Sequence, residues 1–201
     1  MNARRAGFTL IELLIVVALI SIMLVIAVPS FTAFISSNRV TSAVNDFLQG
    51  VTLTRNEAIK RGRRVMMMPN TSAGIPSVAG DWKYGWTIFV DTNNNQALDN
   101  AEVGAGNLIF KHEVLAESIA LRDSGGSANM PFTDSASKTY ISFDGTGYPR
   151  ELGGAGLTAG MHGIVVTDTT GSSINVRTLC LANLGRPRVV KGLDPNNCAG
   201  G

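Results

Sequence analysis

One stretch limits this chain more than any other: the 21 residues from Phe8 to Val28, FTLIELLIVVALISIMLVIAV, whose polar members are Thr9, Glu12 and Ser21. As a helix rising 1.5 Å per residue it is about 30 Å long, the thickness of a bilayer's hydrocarbon core. A secretory signal peptide has a shorter apolar region followed by a small-residue cleavage site. Here the run continues into Pro29 and a helical pattern, so cleavage on its far side is not expected. Arg4 and Arg5 precede the run, and no basic residue follows it immediately. The positive-inside rule then leaves the N-terminus in the cytoplasm and the bulk of the chain across the membrane.

Glu12 does not suit a generic anchor, since a carboxylate inside a membrane helix costs about 2.5 to 3.5 kcal/mol on insertion scales. Two explanations stand. The side chain could reach interfacial water from its place near the helix end, or it could form an ion pair with another subunit. If the chain is cut between Gly7 and Phe8, the new α-amino group of Phe8 is a cation at the depth of a neighbour's Glu12.

Beyond Pro29, apolar residues at Val40, Val44, Phe47, Leu48, Val51, Ala58 and Ile59 follow helical spacing. Proline removes one backbone donor and crowds the preceding turn, so a bend is expected at Pro29 and not an end. Gly62, with Lys60, Arg61, Arg63 and Arg64, marks the helix C-terminus, and the cations suit the helix dipole and solvation. Eight strands are expected after it, at Val65 to Met68, Tyr84 to Asp91, Asn107 to Glu113, Ser118 to Arg122, Thr139 to Phe143, Gly163 to Asp168, Ile174 to Cys180 and Arg186 to Val190. Turn-rich stretches rich in Gly, Asn, Ser and Asp separate them. The fold class is therefore α+β, with a long N-terminal helix, transmembrane in its first half, packed on a C-terminal antiparallel β domain.

Gly7-Phe8-Thr9-Leu10-Ile11-Glu12, with a short basic leader before it and an apolar helix after it, resembles the class III signal of type IV pilins and type II secretion pseudopilins. The resemblance implies that a prepilin peptidase cuts after Gly7, that Phe8 becomes N-methylated, and that Glu12 registers subunits during assembly. Pro29 stands where many members carry a helix-bending proline. Arg55-Asn56-Glu57-Ala58-Ile59-Lys60-Arg61, Gly85-Trp86-Thr87-Ile88-Phe89-Val90-Asp91 and Ile141-Ser142-Phe143-Asp144-Gly145-Thr146-Gly147 resemble, in order and spacing, the GspH/FimT group of minor pilins. The expected organisation is a leader at 1–7, a membrane half-helix at 8–28, a periplasmic amphipathic half at 29–62 and a β-rich domain at 63–201. The implied location is a bacterial inner membrane. The implied partners are other pilins or pseudopilins, the prepilin peptidase, and an assembly platform with its ATPase. A non-polymerising, single-pass anchored binding module is the competing class.

Three local patterns bear on chemistry. Asp91, Asn93, Asn95, Asp99 and Glu102 occupy positions 1, 3, 5, 9 and 12 of a calcium-loop template, but Gln96 stands where the template needs glycine. An Asn-rich connection between strands explains the same residues without a metal. Cys180 and Cys198 are the two cysteines, and in an oxidising periplasm a disulfide between them would contribute about 3 kcal/mol. Between Gly171 and Leu193 lie Arg177, Arg186, Arg188 and Lys191 with no acidic residue, while the net charge of the whole chain is only +2. If Arg186 and Arg188 share a strand, their spacing projects both guanidinium groups from one face, which suits phosphate oxygens. A solvated strand face explains the charges equally well. Gly185-Arg186-Pro187-Arg188 also resembles the GRxR element of FimT-like minor pilins that bind DNA during natural transformation, which makes DNA a candidate partner.

Enzymatic patterns are weak. His112 and His162 have no motif around them, no serine sits in a nucleophile elbow, and Gly154 to Ala159 lacks the strand and long helix a dinucleotide loop needs. No catalytic role and no cofactor are expected.

Overall fold

The computed structural model describes residues 8–93, 95, 97–104, 106–123, 140–150, 162–169, 175–182 and 184–192. Helix α1 (Leu10–Arg61) has 52 residues, so it is about 78 Å long. Thr9 begins it: its side chain accepts the Glu12 N–H, supplying one of the partners that the first helical turn lacks. Gly62 ends it in the left-handed conformation, φ 61°, with its N–H and that of Arg63 returning to the carbonyls of Ile59 and Ala58. The helix passes through Pro29 without ending, as its sequence suggests.

The two halves of α1 differ in burial. From Phe8 to Phe34 the described side chains are exposed. Further along, Val40, Ala43, Val44, Phe47, Val51, Thr54 and Ala58 are buried at three- and four-residue intervals, one stripe facing the β domain. Ile59, expected on that stripe, is 48% exposed. It lies one position past Ala58 and so rotates off the buried line.

Among the described residues the strands form two four-stranded antiparallel sheets. The first has the order β3 (Leu108–His112), β2 (Trp86–Val90), β1 (Val65–Pro69), β5 (Ile141–Phe143). The second has the order β4 (Ile119–Asp123), β6 (His162–Asp168), β7 (Arg177–Leu181), β8 (Pro187–Lys191). Both sheets pack against α1, and one apolar cluster takes side chains from the helix and from each sheet. On the other face of β1, Met66 and Met68 meet Phe89 and Tyr140, so this central strand is buried on both sides.

All eight expected strands are present, with shifted ends. One shift is at Tyr84, which belongs to a short 3-10 turn (Trp82–Tyr84) begun by Asp81, whose carboxylate accepts the Lys83 N–H. Gly85 then turns the chain at φ 81°, where a Cβ would lie 2.1 Å from the His112 carbonyl oxygen, so β2 starts at Trp86. Arg186, expected to open β8, instead closes the turn before it, where its carbonyl accepts the Ala182 N–H.

Candidate functional site

Each polar residue of the apolar run has a definite fate. Thr9 caps the helix, and Ser21 donates to the Val17 carbonyl at 2.8 Å, so neither leaves a hydroxyl unsatisfied in lipid. Glu12 is exposed, and among the described residues no donor reaches its carboxylate. Thr9 and Glu12 have the spacing of a capping box, so the N–H of Glu12 serves the helix start while its charge points outward. Gly7 lies outside the described residues.

The structure divides the four basic residues of the C-terminal segment between two faces. Strands β7 and β8 pair Cys180 with Arg188, Leu179 with Val189, and Arg177 with Lys191. Directly paired residues share a face, so Arg177 and Lys191 stand on the side of Leu179, which joins the helix-facing core. Arg177 in fact lines a 150 Å³ recess with Thr41, Val44, Asn45 and Val189. Arg188 takes the opposite face with Cys180, and the exposed Arg186 lies in the turn just before β8. Cys180 is buried, and Cys198 lies outside the described residues.

A second feature emerges at the Asp144 turn between β5 and Arg150. The Asp144 carboxylate accepts from the Thr146 hydroxyl and N–H, the Tyr148 N–H and Arg150 Nε. Burial by itself would push this carboxyl up, but these donors outweigh it and hold it down at about 2, from an ordinary 3.8. The folded form therefore binds protons less readily than the unfolded chain, and acid favours unfolding. Asp144→Asn is expected to lose about 2 kcal/mol near neutral pH. Thermal melts of the two proteins should converge as pH falls from about 4 to about 2, because the wild type loses that advantage through this window. Parallel pH profiles would show that the carboxylate contributes no such stability.

The Asp91 loop is held by its own side chains. Glu102, only 1% exposed, accepts the Thr92 N–H and hydroxyl and the Asp99 N–H. Asn93 and Asn95 donate their amides to Asp99 Oδ2, while their carbonyl oxygens accept the N–H groups of Asn95 and Ala97. These oxygens are engaged within local turns of the loop. Among the described residues no group of three or more His, Cys, Asp or Glu is placed to hold a metal ion.

His112 stacks on Trp86 with ring centroids 4.0 Å apart, and its Nε2 lies 3.9 Å from Asp46. It borders a recess of 290 Å³ with Asp46, Gln49, Gly50, Leu53 and Phe110. The side chain of His162 and the Gly154 to Ala159 loop lie outside the described residues.

Residues 43–189 match the family described as Type II transport protein GspH, and residues 2–28 match the prokaryotic N-terminal methylation motif. The chain belongs to the GspH family. A fimbrial protein of Moraxella nonliquefaciens is 35% identical over 98 residues, 48% of this chain and 61% of that protein. Fimbrial protein Q of Moraxella bovis is 46% identical over 52 residues, covering 26% and 32% of the two chains. These matches span less than two thirds of either relative's length. The type IV major pilin protein PilE1 of Neisseria gonorrhoeae is 27% identical over 157 residues, 76% of this chain and 71% of PilE1. In fold, the chain is similar to the type IV minor pilin FimU of Pseudomonas aeruginosa, with a TM-score of 0.52 at 15% identity over 79% of this chain and 92% of that one. The chain is thus type IV pilin-like, with a methylation motif on its apolar helix and a GspH domain behind it. Pilins and pseudopilins are structural subunits without chemistry of their own.

Proposed function

We propose that this protein is a minor pilin or pseudopilin, a structural subunit that enters a filament through α1. The observation that carries the reading is Glu12, whose carboxylate is exposed in the apolar half of the helix with no donor among the described residues. A prepilin peptidase removes residues 1–7, and the cation this creates on Phe8 pairs with Glu12 of an adjoining subunit, offsetting the desolvation of both. The 8–28 segment holds the subunit in the inner membrane with its N-terminus cytoplasmic, and the β domain stands in the periplasm until a platform and ATPase drive assembly. Catalysis belongs to those partners.

Placement in a type II secretion pseudopilus or in a type IV pilus follows from different features. The GspH match favours the former. The Gly185 to Arg188 turn favours the latter, with DNA bound as in natural transformation, because the exposed Arg186 of the turn adjoins Arg188 on the side of β8 away from α1. In the oxidising periplasm Cys180 pairs with Cys198, fastening the C-terminal segment to buried β7.

Intact-mass spectrometry of protein from native membranes tests the reading. A chain starting at N-methyl-Phe8 is expected, lighter by two hydrogens than its reduced form because of the disulfide. An N-terminus at Met1 or Asn2 would instead support the anchored module that never polymerises.

A further inference from the structure

Three turns distant in sequence come together at one end of the β domain. A Cβ on Gly145 would lie 2.5 Å from the carbonyl carbon of Gly62, so the Asp144 turn sits directly against the end of α1. Arg55 Nε donates to the Gly147 carbonyl at 3.0 Å. A Cβ on Gly185 would lie 2.9 Å from the same carbonyl oxygen and 3.2 Å from Pro149 Cδ. The close approaches need glycine at 145 and 185, and they bring the basic end of α1 and the β7–β8 turn against one five-residue loop.

Charge accumulates where these segments meet. Residues 54–64, 141–150 and 182–188 carry eight basic side chains and two acidic ones, a net of +6 in a chain whose total is +2. The two carboxylates are engaged, Glu57 by Lys60 and Arg61 and Asp144 by Arg150. Lys60 and Arg61 belong to the last turn of α1, where the helix dipole accounts for cations. Arg63 and Arg64 lie beyond the Gly62 cap, and neither they nor Arg186 make an ion pair among the described residues.

We propose that Arg63 and Arg64 extend the Arg186–Arg188 turn into one continuous surface for the phosphate backbone of a nucleic acid, running across the Asp144 turn. The proposal rests on the nucleic-acid reading of that turn and enlarges its footprint. An anionic membrane is the wrong partner for it. Gly62 follows Val28 by 34 residues of a continuous helix, which places the surface about 50 Å from the end of the apolar run, several Debye lengths from any headgroup.

The test measures binding of the full chain, in an uncharged detergent, to a fluorescent DNA duplex across a salt series. Each phosphate contact steepens the dependence of log affinity on log salt by about 0.9. Arg63→Ala with Arg64→Ala is expected to flatten the slope by about 1.8, and Arg186→Ala with Arg188→Ala by a similar amount. Lys83→Ala with Lys111→Ala, which removes equal charge elsewhere, should leave the slope near wild type. If the Arg63 and Arg64 variant behaves like that control while the Arg186 and Arg188 variant does not, the extension is wrong and the smaller site stands. A wild type without salt-dependent binding would overturn both. Circular dichroism of each variant checks that the fold is retained.

Discussion

Phe47→Ala is expected to lower stability by about 3 to 5 kcal/mol, enough to unfold much of the β domain at growth temperature. Phe47 is completely buried where α1 crosses the first sheet. Its ring meets Trp82 at 5.0 Å and Trp86 at 5.1 Å, both edge to face, the arrangement aromatic quadrupoles favour. Removing it opens a cavity walled by two indoles. Trp86 is stacked on His112, and its ring nitrogen lies 2.8 Å from where a Cβ on Gly50 would be, so that ring has little room to collapse inward. Thermal unfolding of the detergent-solubilised chain, followed by tryptophan fluorescence, should report the loss directly. A shift worth less than about 1 kcal/mol would mean that the helix-to-sheet contact is not what holds the domain together.

The second large effect is on assembly and runs opposite to membrane insertion. Glu12→Val removes a carboxylate that costs about 2.5 to 3.5 kcal/mol inside a bilayer, so the variant should insert at least as well as wild type. It should nonetheless vanish from sheared filaments, because the N-terminal amine of the neighbouring subunit loses its counter-charge in a medium that does not screen it. The measurement compares the protein in the membrane fraction with that in the filament fraction. Normal incorporation of the variant would refute the intersubunit ion pair and leave Glu12 as a carboxylate reaching interfacial water. Loss from both fractions would point to instability and would equally refute the pairing as the cause.

These two residues mark what kinds of information a single chain displays. The helix stripe of Val40, Val44, Phe47 and Val51 was readable because a buried face imposes a 3.6-residue period, and the strands were readable because turns must be made of Gly, Asn, Ser and Asp. Strand ends were less readable. Tyr84 and Gly85 look like the start of β2, yet the approach of the His112 carbonyl to Gly85, a contact 27 residues away in sequence, decides where pairing begins. The Asp91 loop leaves two readings open in the sequence for a related reason. Asn and Asp at those spacings satisfy their own turn as readily as a cation, and only the positions of Glu102 and Asp99 distinguish the two.

The sequence by itself determined the membrane-length helix, the N-terminal methylation motif, the α+β class and the places of the strands along the chain. All of these are local: they depend on periodicity, on turn chemistry, or on a motif read within a few residues. Only the tertiary structure decided that Arg177 and Lys191 turn toward α1 while Arg188 turns away, because strand pairing, and not spacing, assigns a side chain to a face. It also decided that Gly145 meets Gly62 while Gly185 meets the Gly147 carbonyl of the same turn. Backbones approach that closely only where no Cβ intervenes, so the basic end of the helix and the arginine turn become neighbours across more than 120 residues of chain.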